Sequence, residues 1–255
     1  MKNKVFYLIL MLSSVFFLSG CQAVQNEEGL FYNTFVFPFA KALHGIGTFL
    51  GGNFGLAIII ITLLIRLVLM PFMIKTYKTQ QAMKGKMENL KPEMKEIQDK
   101  MKTTEDAEEK KRLQQDMMQL YQKHGVNPLN MGCLPVLIQM PILLGLYYAI
   151  RGSEEIASHT FLWFNLGQPD IAMAIIAGII YFGQAKVTLV GLPEEQLKQM
   201  KMISYLSPVM ILIFSFTAPS ALPLYWTVGG IFLIGQTLIS KKYFQSHPDK
   251  SKEEA

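Results

Sequence analysis

The sequence predicts an all-α integral membrane protein, with five transmembrane helices and a cytoplasmic antiparallel helical hairpin after the first of them. Three observations predict it. Hydrophobic residues make up 51% of the 255-residue chain, and several apolar runs approach the ~20 helical residues that cross a hydrocarbon core. The basic residues gather in alternate connections between those runs, as orientation in a bilayer requires. The net charge of +5 is compatible with a nucleic-acid partner, but in a membrane protein the placement of charge matters more than its sum.

The first run is not a permanent span. "MKNKVFYLILMLSSVFFLSGC" carries Lys2 and Lys4, a short apolar core and then Leu18-Ser19-Gly20-Cys21, the order of a secretory signal over residues 1–20. Its ending resembles the bacterial lipobox, where cleavage precedes a cysteine whose thiol is diacylated, which makes Cys21 the lipidation (palmitate) site. An uncleaved N-terminal anchor is the other reading. After processing, the mature lipoprotein starts at Cys21, tethered outside the cell. Cys133 is the other cysteine; with one thiol lipidated, no disulfide and no metal cluster is expected, and Cys133 reads as a small packing residue.

Residues 21–54 form an extracellular linker and interfacial segment. Within it, "GLFYNTFVFPFAKALHGIGTFL" is aromatic-rich and broken by Pro38, so it is expected to lie at the outer membrane surface, partly helical. The five spans follow at 55–74, 132–150, 171–190, 202–218 and 221–240. The last two are separated by Pro219 and Ser220 and must form a tight hairpin. Pro141 and Pro208 should bend their helices, which neighbouring segments make tolerable.

Starting outside and crossing five times leaves residues 241–255 as a cytoplasmic tail. The inner segments, with Lys186 at the inner end of the third span, then hold 19 of the 24 basic residues, and the exterior holds Lys41 and Arg151. This asymmetry agrees with an extracellular N-terminus and a multi-pass protein of the cell membrane.

The 75–131 loop is patterned. Met83, Met87, Leu90, Met94, Ile97 and Met101 alternate spacings of four and three, a heptad seam. Thr103 and Asp106 resemble a helix-start signature. A second pattern runs through Leu113, Met117, Leu120 and His124, ending at Gly125 and Asn127-Pro128. The two helices are expected to fold back on each other, with Pro92 kinking the first. The methionine bias also suits a surface that meets varied apolar partners.

Arg66 raises the functional question. It lies nine residues inward from Lys75, about 13–14 Å at helical rise, where an arginine costs about 2.5–3.5 kcal/mol on insertion scales. Snorkelling to the inner headgroups is one answer; a water-filled indentation is the other. The five apolar stretches contain no Asp or Glu, so no internal counter-ion is expected. They offer Thr62 one turn away, then Gln139, Gln184, Thr227 and Gln236. Gln139 and Gln184 lie deep enough to face inward. A charge among amides and hydroxyls points to a hydrated notch awaiting a transient acidic partner.

Several classes use such a notch. A channel needs a continuous polar path, yet the outer span ends are apolar and aromatic, with Tyr147, Tyr148, Trp163 and Phe164 as an outer belt. A transporter with Arg66 as an intramembrane anion site remains a reading, although no repeat is evident. Enzyme chemistry has little to stand on. His44, His124, His159 and His247 are scattered, and no HExxH, GxSxG, paired intramembrane aspartates or phosphate loop appears. The remaining class is a device that receives polar segments of other proteins partway across the bilayer.

"KHGVNPLNMGCLPVLIQMPILLGLYYAI" (123–150), "FLWFNLG" (161–167) and "LPLYWTVGGIFLIGQTLI" (222–239) resemble the YidC/Oxa/Alb family of membrane protein insertases. The resemblance covers roughly residues 30–240 and, with the lipobox, is closest to members from bacteria with a single membrane. It implies a five-helix core with a positively charged hydrophilic groove, open to the cytoplasm and to lipid and closed outside. It implies no cofactor, no ATP site and no enzymatic role. Arg66 matches the groove arginine, and Gln184 and Trp226 match positions in or near the groove; Thr62 and Gln139 complete the expected substrate-binding set. For Trp226 an interfacial anchor is an equal reading. Implied partners are nascent membrane proteins and membrane lipids, with the ribosome, the Sec translocon and targeting factors as associates, and no direct nucleic-acid recognition. Asn165 stands where the family commonly has an acid, and Gly230 where it often has Asn. The tail after Ser240 holds four lysines against three acids, which argues against a strong ribosome-binding role for it.

Overall fold

In the computed structural model, residues 28–125, 133–190 and 194–246 are described, the side chains of 80–89, 133–137, 194–196, 198–200, 203 and 244–246 excepted. The expectations for the signal segment, for Cys21 and Cys133, and for the methionines at 83 and 87 therefore lie outside what is described. A π-helical turn, Tyr32–Val36, leads into helix α1, Phe37–Phe49. Helices α2 (Phe54–Thr103), α3 (Ala107–Lys123), α4 (Cys133–Arg151) and a short α5 (Glu154–Ser158) follow. A two-stranded antiparallel hairpin pairs β1 (Thr160–Phe161) with β2 (Phe164–Asn165). Helices α6 (Ile171–Leu189), α7 (Glu194–Ser215) and α8 (Ala221–Ser246) are the last of the described elements.

The chain divides into two units, one of Met1–Val68 with Met140–Ser246 and one of Leu69–Gln139 with His247–Ala255. The first holds the main core. Along α2, Phe54, Ala57, Ile58 and Ile61 are buried at helical one-face spacing. Leu56, Leu63, Leu64, Leu67 and Val68 are exposed on the rest of the helix, an apolar surface suited to lipid. The buried stripe packs with Leu146 and Ile150 of α4, Met173 and Ala177 of α6, and Leu222 and Tyr225 of α8. Among the described residues, three helices are long and apolar enough to cross a membrane: Phe54–Thr79, Ile171–Leu189 and Ala221–Tyr243; Ser204–Ser215 is a shorter apolar helix.

Polar side chains fix where the elements begin. Asn53 accepts from the Leu56 N–H at 3.0 Å, Ser153 caps α5, and Asp170 accepts from the Met173 N–H at 2.7 Å to start α6. Each satisfies an amide that a helix start leaves without an intrahelical partner. The Ser220 hydroxyl donates to the Gln168 carbonyl at 2.6 Å, tying the α7–α8 turn to the segment after the β-hairpin.

In the second unit, Leu90 and Met94 of α2 share a small core with Leu120 of α3, and Ile97, Met117 and Tyr121 pack around it. The heptad positions therefore meet across a helix–turn–helix.

Several expectations change. The helix of the first apolar stretch and the first helix of the 75–131 segment are one element: α2 runs on to Thr103, with Pro71 and Pro92 inside it. The cap of α3 is Asp106, whose side chain accepts from the Glu108 N–H at 2.9 Å. Thr103 belongs to the preceding helix and donates its hydroxyl to the Asp99 and Lys100 carbonyls. His124 leaves the seam as the exposed end of α3, followed by Gly125 at φ 62, a left-handed stop. Phe164 is buried in the core and not part of an outer belt, whereas Trp163 is 56% exposed at the hairpin tip beside Leu162. The 29–50 segment is helical from Tyr32 to Phe49 and buries Val36 and Leu43 in the core, more than a purely surface-lying segment would.

Candidate functional site

Arg66 extends the buried face of α2. Ile58, Thr62 and Arg66 are spaced four apart and so share one side of the helix; Thr62 is fully buried and Arg66 is only 7% exposed. The guanidinium thus points into protein, away from the lipid-facing leucines. The Thr62 hydroxyl donates to the Ile58 carbonyl at 2.6 Å, so its proton is committed within its own helix.

Helix α8 supplies the opposite wall. The Arg66 Cζ lies 6.0 Å from the centroid of the Tyr225 ring, within cation–π range, an attraction of about 2 kcal/mol when desolvated. One turn further along α8, Gly229 faces the guanidinium: a Cβ there would stand 2.7 Å from Nη2 and 3.1 Å from Nε. The tyrosine and the glycine, four residues apart, form a shelf and a recess for the charge. Next to it, Gly230 lets α8 approach α6, since a Cβ at that position would meet Ile180 Cγ2 at 2.7 Å. The Tyr181 hydroxyl of α6 interacts with Arg66 as well.

Two buried polar atoms lack a hydrogen-bond partner among the described residues: Arg66 Nε and Thr227 Oγ1. No carboxylate pairs with Arg66 among those residues. Leaving a charged donor buried and unbonded costs more than the ~1–3 kcal/mol of a neutral group, so the recess is built around an unmet demand for an acceptor.

The other expected site residues have varied surroundings. Gln184, half-buried on α6, donates to the Thr188 hydroxyl at 3.2 Å, while that hydroxyl donates to the Gln184 carbonyl at 2.9 Å. Trp226 is 8% exposed and packed in the main core. Gln236 is buried on α8. Gln139 is half-buried and belongs to the second unit. Among the described residues, no group of three or more His, Cys, Asp or Glu is placed to hold a metal.

Tyr181, Tyr225 and Gly229 were not singled out from the sequence. The signal for the last two was present, because an aromatic and a small residue four apart on an apolar helix mark one face and a close helix approach. Tyr181 carried no such mark.

The comparisons with known proteins agree in direction. The family model described as "60Kd inner membrane protein" matches residues 45–247. The membrane protein insertase YidC 2 of Listeria monocytogenes is 53% identical over 251 residues, covering 97% of this chain and 91% of the relative. The membrane protein insertase MisCB of Bacillus subtilis is 45% identical over 222 residues, covering 84% and 81%. Among solved structures, an active YidC insertase with its first transmembrane domain resolved matches with a TM-score of 0.50 at 27% identity. That match covers 77% of this chain and 45% of the longer solved one.

Proposed function

The chain belongs to the 60Kd inner membrane protein family and is a membrane protein insertase, and from that premise we propose that Arg66 is the receiving charge for acidic or polar segments of nascent membrane proteins. The observation that carries this reading is the buried guanidinium that, among the described residues, has no carboxylate partner and no acceptor for its Nε. An incoming carboxylate offers what the recess lacks, and in a low-dielectric setting that attraction is strong. The Tyr225 ring and the Gly229 recess hold the cation in place, so little order is lost when the anion arrives.

The mechanism then needs no bond chemistry and no cofactor. A substrate tail is drawn towards Arg66, its desolvation cost is reduced by the charge and by the polar groups of Gln184, Thr188 and Thr227, and its apolar segment passes into lipid beside α2, α6 and α8. Thr62 fixes the helix face and Trp226 fixes the core behind it; neither is assigned to substrate contact. Helices α4 and α7 complete a five-span body. Its orientation follows the basic-residue asymmetry, with a lipidated Cys21 outside, the tail after Ser240 inside, and the α2–α3 helix pair as a cytoplasmic arm. That arm receives the nascent chain or its targeting factors, and the ribosome and the Sec translocon are neighbours in the process.

Depleting the protein and following a small single-span substrate with an acidic tail tests the reading. Insertion should fall; unchanged insertion in a cell lacking any paralogue would remove it.

A further inference from the structure

A second polar constellation lies in the first unit, where α4 ends against α1. A cavity of about 480 Å³ there is lined by Tyr32, His44, Tyr147, Tyr148, Arg151 and Ser153, with Ala40 among the smaller residues. That volume is within the ordinary range for small-molecule sites. Arg151 Nη1 donates to the Tyr147 hydroxyl at 2.7 Å, and its Cζ stands 5.7 Å from the centroid of the same ring. The guanidinium is thus steered by a phenol, with no carboxylate in ion-pair distance among the described residues. The acid closest in role, Glu155, is engaged elsewhere: its Oε2 lies 3.3 Å from His44 Nδ1, while His44 Nε2 lies 3.2 Å from Ser153 Oγ.

Serine, histidine and carboxylate in that order invite comparison with a hydrolytic triad, but the surroundings do not support catalysis. The Gly152 and Ser153 N–H groups donate to the Tyr148 and Ile150 carbonyls, so they cannot form an oxyanion hole. Ser153 Oγ also accepts the Ile156 N–H as the cap of α5. What the cavity offers is one fixed guanidinium, which has donors beyond the single one given to Tyr147, beside hydroxyl and imidazole groups. That set fits the two non-bridging oxygens of a phosphodiester.

The flanks select the source of that phosphodiester. The helical segment forming one wall also exposes Leu30 and Phe37, surfaces suited to acyl chains. We propose that the cavity binds the phosphodiester headgroup of a membrane phospholipid, with Arg151 as its charge partner, so that α1 and the end of α4 are seated on a specific lipid. The insertase reading enters only in assigning that lipid to the outer leaflet.

Native mass spectrometry of the full-length protein, released from vesicles containing phosphatidylglycerol and a neutral glucosyl diacylglycerol, tests this. The wild type should retain phosphatidylglycerol and not the glycolipid. Arg151→Gln should retain about tenfold less, the loss expected for one charge-assisted hydrogen bond. Ala40→Leu, which fills the cavity and keeps the charge, should show the same loss with an unchanged thermal midpoint. Equimolar inorganic phosphate, lacking acyl chains, should not displace the lipid. Equal retention by the wild type and both variants, equal retention of the glycolipid, or displacement by inorganic phosphate would each overturn the proposal. Retention is read without insertion, so its failure leaves the role of Arg66 standing.

Discussion

The Arg66 guanidinium occupies space that any side chain at position 229 would claim: a Cβ on Gly229 would come within 2.7 Å of Nη2. One helix therefore carries a buried charge, and a second omits a side chain to make room for it. Helix burial, the aromatic shelf of Tyr225 and the missing Cβ act together to hold a cation that no carboxylate among the described residues reaches.

Gly229→Ala should push the guanidinium out of its recess and reduce insertion of acidic-tailed substrates. Gly235 is the control on the same helix, because a Cβ there meets nothing within 4 Å. In proteoliposomes, Gly235→Ala should match the wild type while Gly229→Ala falls well below it. Identical behaviour of the two would show that the recess has no role.

Charge, more than shape, should decide what position 66 can be. Arg66→Ala removes the acceptor-seeking group and should slow insertion roughly tenfold or more, given ~1.5–3 kcal/mol for a hydrogen bond to a charged group. Arg66→Lys keeps the charge and should retain much of the activity. Insertion rates at matched protein levels check this; equal activity of all three proteins would mean the positive charge is dispensable.

The helix pair of the second unit depends on a small core. Leu120→Ala removes a side chain packed with Leu90 and Met94 and should cost about 2 kcal/mol, the low end for a leucine truncation. Hydrogen exchange should show faster opening across α3 with little change in α6 and α8. Uniform destabilisation of all helices would contradict the assignment of this core to its own unit.

Tyr121 gives the same region a pH dependence. Burial pushes its phenol above the ordinary value of 10.0. A raised folded value means that the stability it contributes is fully present below the ordinary value and is lost as pH climbs through the folded one. Spin labels at Lys95 and Asp116, both exposed, should report α3 separating from α2 at strongly alkaline pH. Tyr121→Phe should shift that separation to higher pH; an unchanged curve would assign the transition to other groups.

Lys241 is a latch between α8 and α6. Its Nζ donates to the Val187, Thr188 and Val190 carbonyls, placing a cation at a helix C-terminus, where the dipole favours it. Lys241→Met should lower the thermal midpoint and speed exchange in the last turn of α6. Persistence of wild-type protection in that turn would show that the latch is redundant.

Much of this architecture was legible in the residues. The seam that brings Leu90 and Met94 against Leu120 follows from spacing, and the inward face of Arg66, four residues beyond the buried Thr62, follows from the cost of a lipid-exposed charge. The continuity of α2 past Lys75 was not legible, because a charge marks the edge of a bilayer but does not end a helix. The inward turn of Phe164 was also hidden: a two-residue strand is too short for alternation to reveal which face is buried. Asn165 shows why local departures resist sequence reading. Its Nδ2 donates to the Ser158 carbonyl and its Oδ1 accepts from the Gly167 N–H, both at 2.9 Å, a double role set by the neighbouring backbone. The recess at Gly229 and the partner at Tyr181 depend on helices α2, α6 and α8 meeting, which no single segment encodes.

The most direct measurement compares two substrates that differ in tail charge alone, one acidic and one neutralised, inserted by the wild type and by Arg66→Ala. A receiving cation predicts that Arg66→Ala slows the acidic-tailed substrate and leaves the neutral one nearly unchanged. Equal slowing of both, or of neither, would contradict it.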